Sequence, residues 1–515
     1  MKVCAGLEFS CYVSLFGGRY VVLCKQRRIR SLLRRPGERV IVKPLLPLDA
    51  NQLQTVVHEA FVDLTRSGQG GADLLEHLLL VREELASREA EGEHCTARRA
   101  AYVVLEDMVE RLARRDEVGA KVLRYRFFEG QITRQVAARL HASPDQVNRW
   151  QRAAIENLTA ILIEQETWRR QERSRLLLED LPTPSYSRLF GTRSLQAEIT
   201  EQLLRQEEPL VIALSGIGGI GKTSLADAIA RQAAPALAFE RIIWLRAFLD
   251  PFASDAAIER SWAQVEESMA EALFGNAPVQ GEVENLLDDM LHRTAVLMII
   301  DNLEQKDQTI HFFDQVRRFA GPTKFLLTTR ARPTVSAPVY LRSLSELDLA
   351  DASDLLRYQD LVTGTKVMAE ASKEDIRAIY EVTGGNPLAL KLVAGLSAVM
   401  SLSDILAGLQ KSRPGPIENL YRQIYWQTWQ TLSPDAKLLL QAMPLVAETG
   451  GLPQQLQAFS GLPEETFWSA VHELFARSLL EVRGTVHERR YSIHRLTETF
   501  LRTEIIHWPE DLPAA

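Results

Sequence analysis

The sequence predicts a multidomain chain: an N-terminal all-α region with a helix-turn-helix, a central α/β core on a parallel sheet, and further helical domains. Three observations predict it. An apolar, β-branched run at 210–214 leads through a glycine-rich loop into a stretch with Leu225, Ala228 and Ile229 at helical spacing, the order that a parallel sheet requires. A second apolar run, 295–300, ends in the carboxylate of Asp301, as a buried strand reaching the edge of such a sheet does. Ahead of them, residues 122–160 hold two helical stretches joined by a tight turn.

The chain of 515 residues is long enough for about three or four domains with buried cores. Its net charge of −7 argues against nucleic-acid binding by the whole molecule, while leaving room for a local basic patch. The cysteines are Cys4, Cys11, Cys24 and Cys95, none in C-x-x-C spacing. Neither a disulfide framework nor a zinc site is indicated, and a reducing cytoplasm fits. No apolar run approaches the roughly 18 residues of a membrane span, so no membrane partner is expected.

In order along the chain, Phe9 to Leu23 reads as a hairpin around Gly17-Gly18, and Arg19 to Arg39 holds eight basic residues against Glu38 alone. A targeting signal does not fit. So short and charged a stretch buries little apolar surface to offset its ordering. Residues 1–48 are therefore read first as a poorly defined extension, and second as a basic arm for nucleic acid or a membrane surface. From 49 the pattern is helical, with Leu53, Val56, Val57, Ala60 and Phe61 on one face and a break at Gly68-Gln-Gly-Gly71. It supplies packing and no chemistry.

The helix-turn-helix spans 122–160 within a helical region of 49–165. Ala137 permits close crossing of its two helices. Ser143 suits the cap of the second helix and Pro144 its first position. Val147, Ala154 and Leu158 face inward in this register, leaving Gln146, Asn148, Arg149 and Arg152 outward. Arginine and asparagine suit bidentate readout of guanine and adenine edges. From Arg111 to Arg152 ten basic residues stand against four acidic ones, a footprint for phosphate. The segment resembles region four of bacterial sigma factors and the sigma-like helix-turn-helix of response regulators. DNA is the partner that this implies, and protein association through the same motif stays open. Residues 166–186 form a linker, charged and helical through Arg175 and stopped by Leu181-Pro-Thr-Pro184.

Gly216-Ile-Gly-Gly-Ile-Gly-Lys-Thr223 fits G-x-x-x-x-G-K-[ST] with a strand before it and a helix after it. Gly216, Gly218, Gly219 and Gly221 let successive backbone N–H groups turn inward around a polyphosphate, beside the helix that opens at Lys222, Thr223 and Ser224. Lys222 suits the β- and γ-phosphates and the Thr223 hydroxyl suits Mg²⁺. Asp301 ends an apolar run, which places its carboxylate at the C-terminal edge of the sheet, where α/β ligands bind.

From about Ser187 to Thr503 the chain resembles the NB-ARC nucleotide-binding switch of the STAND class of signalling ATPases. Phe190-Gly-Thr-Arg193 looks like the family's V-G-R turn at the adenine, with Thr192 inserted; Phe190, Gly191 and Arg193 are its cofactor-binding candidates. Asp301 looks like the Walker B carboxylate, a Mg²⁺ ligand with Thr223. Lys324 to Arg330 looks like the sensor strand, with Arg330 the γ-phosphate sensor and a catalytic candidate beside Lys222 and Asp301. Gly384-Gly-Asn-Pro387 looks like the turn whose proline packs on the base, making Pro387 a candidate. Ile493-His-Arg495 falls where the family has M-H-D, so His494 would contact the β-phosphate of ADP; Arg495 stands where the family has aspartate.

The resemblance implies a P-loop NTPase domain at 187–343, a helical lid domain at 344–414 and a winged-helix domain at 415–510. No self-similar period of roughly 20–50 residues follows, so no repeat sensor is expected in this chain and the upstream signal is unknown. The implied function is an ATP/ADP-binding switch that acts on DNA through its helix-turn-helix as a cytoplasmic transcription regulator, self-associating in the ATP state. The alternative is a signalling scaffold, for instance in antiphage defence, whose helix-turn-helix serves association. As an enzyme it would be at most a slow ATPase, because Asn302, directly after Asp301, can bind a water but cannot take its proton.

Overall fold

A computed structural model describes residues 11–16, 19–24, 50–65, 72–205, 207–247, 255–275, 283–303, 306–330, 339–410, 417–446, 450–484 and 489–506. Most of the basic stretch after Arg19, the glycine break at 68–71, Glu304 and the side chain of Arg495 lie outside these residues. The strands are β1 (Cys11–Phe16), β2 (Arg19–Cys24), β3 (Val211–Ser215), β4 (Arg241–Arg246), β5 (Val296–Leu303), β6 (Lys324–Thr329), β7 (Val339–Ser343), β8 (Glu481–Gly484) and β9 (Arg489–Ser492). β1 and β2 pair as an antiparallel hairpin. Beyond it, the chain divides into two compact units near residue 176.

The first unit is helical. Leu53, Val57, Ala60 and Phe61 of the helix Ala50–Thr65 join Leu105, Leu112 and Leu158 in one core, where Phe61 stacks on Phe127 with ring centroids 5.0 Å apart. The helix Leu79–Ala90 has no capping side chain of its own, since Leu78 occupies its N-cap. Glu166, wholly buried, supplies the acceptors from a distant helix: its Oε1 accepts from the Leu79 N–H at 2.8 Å and its Oε2 from the Leu80 N–H at 3.1 Å. A carboxylate there also favours the positive end of the helix dipole.

The helix-turn-helix pairs Thr133–Arg139 with Pro144–Leu177, closed on a small core of Val122, Val136, Ala137 and Val147. The first helix ends in a Schellman turn: Ala142 N–H donates to Ala137 at 2.9 Å, and His141 takes the left-handed position with φ 53°. Ser143 Oγ then accepts from Gln146 N–H at 3.2 Å to cap the second helix. That second helix is longer than a short recognition element, at 34 residues. Ile161 and Leu162 keep its inner face buried past the motif, and no proline follows until Pro182.

The second unit is built on a five-stranded parallel sheet in the order β4-β5-β6-β3-β7. All residues of β3 and β6 are buried, as strands covered on both faces must be. The chain leaves β3 for the far edge, returns through β4, β5 and β6, and crosses over β3 to β7. The loop after β3 therefore opens beside the point where the strand order reverses, a natural ligand crevice. Helices from Leu349–Thr363 to Leu402–Gln410, then Ile417–Thr431 to Glu464–Ala476, follow the sheet. The β8–β9 hairpin and the helix Arg495–Phe500 complete the described part. A single apolar core runs through all of these helical elements. No helix among the described residues is long and apolar enough to cross a membrane.

Candidate functional site

A cleft of about 1380 Å³ opens at the C-terminal edge of the sheet in the second unit. Its floor is the part of the loop from Gly218 to Gly221, which feeds the helix Lys222–Ala233. Gly219 has φ +73°, and a Cβ there would lie 2.3 Å from the Tyr421 hydroxyl, so only glycine fits. Lys222 Nζ donates to the carbonyls of Gly216 at 2.8 Å and Ile217 at 3.0 Å. Thr223 Oγ1 donates to Asp301 Oδ1 at 2.9 Å, and Thr328 Oγ1 donates to the same oxygen at 2.6 Å. Asp301 is 2% exposed, so the two hydroxyls hold a carboxylate that burial would otherwise disfavour.

A hydroxyl and a carboxylate this close are hard oxygen donors of the kind Mg²⁺ accepts, together with phosphate and water. Among the described residues no cluster of His, Cys, Asp and Glu could hold a metal without such help. Asn302 lies beside them with φ 84°. Its N–H donates to Thr328 Oγ1 at 2.9 Å and its Nδ2 to the Ala247 carbonyl at 3.3 Å. The side-chain amide is thus engaged with the end of β4.

Segments far along the chain grip the same loop. Thr383 ends its helix at two left-handed glycines, and a Cβ on Gly385 would lie 2.4 Å from the Leu347 carbonyl. This turn delivers Asn386, which caps the helix Pro387–Ser397 through Oδ1, accepting from Leu388 N–H at 3.0 Å. Asn386 Nδ2 donates to the Gly218 carbonyl at 3.1 Å, and Leu388 N–H donates to the Gly219 carbonyl at 3.3 Å. Tyr421, from the helix Ile417–Thr431, brings its hydroxyl 3.1 Å from the Gly218 carbonyl and 2.6 Å from Asn386 Oδ1. Its single proton serves the two acceptors in turn.

Arg330 and Leu496 flank Gly218 from other sides, each with an atom 3.4 Å from where a Gly218 Cβ would be. His494 lines the cleft and caps the helix Arg495–Phe500, its Nδ1 accepting from Leu496 N–H at 3.1 Å. Burial pushes the imidazole down to about 4; the Lys391, Arg330 and Lys222 charges push the same way, and Glu481 opposes them. His494 is therefore neutral at pH 7, and with Nδ1 accepting, its proton sits on Nε2 as a donor.

Phe190, Gly191 and Pro387 line the cleft together with Gly218, Gly219, Gly221, Ser224 and Asp301. Phe190 packs on Tyr358 with ring centroids 5.6 Å apart. Gly216 does not line the cleft and enters only through its carbonyl. Arg193 does not line it either: it is the exposed first residue of the helix Arg193–Leu204. With Thr192 inserted, the arginine is carried one position on into the helix. Arg188 instead lies over the Phe190 ring, 4.8 Å from its centroid. Sequence reasoning missed Arg188, Thr328, Tyr358 and Tyr421. Thr328 lies inside the sensor-strand pattern, and the other three carry no local signal.

In the first unit, Asn148, Arg149 and Arg152 are exposed and Gln146 is half-buried. Arg111 pairs with Asp107, Arg115 with Glu164 and Arg139 with Glu129. Arg134, Arg149 and Arg152 make no ion pair or hydrogen bond through their guanidinium groups among the described residues.

Residues 193–347 match the NB-ARC domain family, and residues 79–161 match the ECF sigma factor family. The chain carries an NB-ARC domain and, ahead of it, a sigma-like N-terminal region. An uncharacterized WD repeat-containing protein of Nostoc sp. is 25% identical to this NB-ARC chain over 327 residues, covering 58% of the chain and 25% of the relative. A disease resistance protein of Arabidopsis thaliana is 25% identical over 226 residues, covering 42% of the chain and 16% of the relative. The NB-ARC chain thus spans a quarter or less of these relatives. Among solved structures, a STAND protein with a tetratricopeptide repeat sensor from Pyrococcus horikoshii is 20% identical, with a TM-score of 0.40 over 62% of this chain and 43% of its own.

Proposed function

We propose that this NB-ARC chain is a nucleotide-operated switch whose output is DNA binding by the sigma-like helix-turn-helix. One observation carries the reading. The phosphate loop is held at Gly218 and Gly219 by Asn386, Leu388 and Tyr421, so the contents of the cleft and the position of the helical domains bear on the same atoms. A ligand shifts such an equilibrium only by binding the two states with different affinity. ADP, contacted by the loop and the Nε2 donor of His494, favours the closed arrangement. ATP with Mg²⁺ favours an open, self-associating one.

Phe190 and Pro387 would flank the base, Arg330 would face the γ-phosphate, and Thr223 with Asp301 would hold Mg²⁺, which supplies neutralising charge for the phosphates. Turnover is slow in this reading, because Asn302 offers no base and its amide is engaged elsewhere. What remains is charge stabilisation by Lys222 and Arg330. Hydrolysis at an ordinary enzymatic rate, about 10 per second, from the isolated chain would overturn this slow-turnover reading.

DNA readout belongs to Gln146, Asn148, Arg149 and Arg152, and the unpaired guanidinium groups of Arg149 and Arg152 favour it over association. The deciding experiment titrates the full chain onto duplex DNA across a salt series, with ADP and with a non-hydrolysable ATP analogue. A steep log–log salt slope and an affinity that differs between the nucleotides are expected. Absence of DNA binding at every salt and with either nucleotide would hand the helix-turn-helix to protein association.

A further inference from the structure

The helix Pro387–Ser397 carries a cation that none of the roles above uses. From Leu388 to Ser397 every residue of this helix is buried except Lys391, which is half-buried and lines the cleft. It sits one turn beyond Pro387, on the face that Asn386 and Leu388 bring against the phosphate loop. The buried neighbours fix its backbone in place. Among the described residues its ammonium makes no hydrogen bond and no ion pair. Burying a cation without a partner is costly, and burial accordingly holds this ammonium below its ordinary range, with Glu481 of β8 opposing.

Cations from three elements gather around His494 at this end of the cleft. Of the groups that act on the His494 imidazole, Lys391, Arg330 and Lys222 are cations and Glu481 alone is a carboxylate. Lys222 belongs to the loop, Arg330 to the end of β6 and Lys391 to the helix that caps the loop. Like charges on separate elements repel in a cleft with apolar walls. A polyphosphate is the ligand chemistry that all three can meet at once.

We propose that Lys391 is a phosphate-binding residue delivered by the helical lid, so that the lid closes on the polyphosphate as well as on the base. This rests on the reading of the cleft as a nucleotide site. Lys391 couples the two elements through the ligand: with phosphate between them its charge joins the lid to the loop, and without it the same charge pushes them apart. Glu481 competes with the phosphate for Lys391 and so keeps the lid releasable.

The test titrates ADP, pyrophosphate and adenosine calorimetrically into the full chain and into its Lys391→Gln, Lys391→Arg and Glu481→Gln variants. Lys391→Gln should weaken ADP and pyrophosphate by about tenfold, the scale of one charge-assisted hydrogen bond, and leave adenosine unchanged. Lys391→Arg should restore most of the loss, which excludes misfolding as its cause. Glu481→Gln should tighten ADP. Unchanged ADP affinity in a folded Lys391→Gln variant overturns the proposal. So does an equal loss for ADP and adenosine, which would mean that Lys391 acts through lid packing. Weaker ADP binding by Glu481→Gln would make the two residues a structural pair and overturn the proposal as well. A wild-type chain that binds neither ADP nor pyrophosphate overturns the nucleotide reading itself, a result none of the variant comparisons can mimic.

Discussion

Around the phosphate loop Lys222 donates to two carbonyls and Asp301 accepts from two hydroxyls. On the helix Pro144–Leu177, Arg149 and Arg152 extend into solvent with no partner among the described residues. Both regions are proposed above as polyanion sites, and their side chains are prepared in opposite ways. The cleft fixes its groups in advance, which lowers the reorganisation needed when a ligand arrives. The helix-turn-helix keeps long flexible cations on a rigid scaffold and orders them only at contact, as suits steering along a phosphate backbone. Substitutions in the cleft should therefore break contacts and geometry together, and those on the helix should remove one contact each.

The largest effect is expected for Lys222→Ala. Removing a charge that meets the phosphates inside a cleft costs about 2–5 kcal/mol, enough to abolish measurable ADP binding at micromolar concentrations. Lys222 donates to the carbonyls of Gly216 and Ile217, and circular dichroism and melting of the variant check that it stays folded. A folded variant that binds ADP as the wild type does would break the contrast at its root.

Arg149→Ala comes next. If Arg149 reads a guanine, it should cost ~1–3 kcal/mol on a specific site and little elsewhere. If it meets a phosphate, all sequences should weaken alike and the log–log salt slope should fall by about one. Fluorescence anisotropy on matched and scrambled duplexes separates the two, and either result keeps the helix a polyanion surface. An unaltered titration on every duplex would remove Arg149 from the interface.

The residues that sequence reading found are those whose chemistry depends on neighbours along the chain. The run at 210–214 was legible as a strand because a parallel strand covered on both faces must be apolar throughout, while 324–330 was legible only through its likeness to a family motif. Gly221, Lys222 and Thr223 were legible because a phosphate loop fixes their spacing. The residues missed act across long separations. Tyr421 meets Gly218 at a separation of 203 residues, and Glu166 caps the helix Leu79–Ala90 from 87 residues away. No periodicity encodes such partners. Arg193 and Arg188 show the other limit, since one inserted residue, Thr192, turned a motif arginine outward while Arg188 lies over Phe190. The helix Pro144–Leu177 runs unbroken from the motif into the stretch read as a charged helical linker, because burial beyond the motif carries it on.

A smaller effect is expected from Tyr421→Phe. The ring stays packed in the core, while the hydroxyl that bridges the Gly218 carbonyl and Asn386 is lost. One buried hydrogen bond contributes about 0.5–1.5 kcal/mol. Asn386 still serves Gly218, so the lid should loosen without detaching. Stopped-flow release of a fluorescent ADP should be severalfold faster, with the association rate nearly unchanged. Equal release rates would mean that the tyrosine only fills space, and that the cleft is less tied than its geometry implies.

The smallest effect is a pH dependence, and it sharpens the contrast because the exposed guanidinium groups cannot supply one. The His494 imidazole is held at about 4 in the folded chain against an ordinary 6.5. Between those values the unfolded chain binds a proton that the folded chain refuses, so stability falls as pH drops from about 6.5 toward about 4 and is fully present above that window. Geometry agrees with the sign: Nδ1 accepts from Leu496 N–H, and protonation would remove that acceptor and uncap the helix Arg495–Phe500. His494→Asn keeps a good capping acceptor and does not titrate. Wild type and variant should melt together near pH 7.5, and the variant should melt higher at pH 5. Bound ADP should reverse the trend in the wild type, because a phosphate beside the imidazole favours its charged form, so ADP affinity should rise on acidification and stay flat in His494→Asn. Melting curves across that range with and without ADP test both halves. Parallel wild-type and variant profiles would show that His494 does not titrate in this window and that the cleft holds its charges no differently from the open helix.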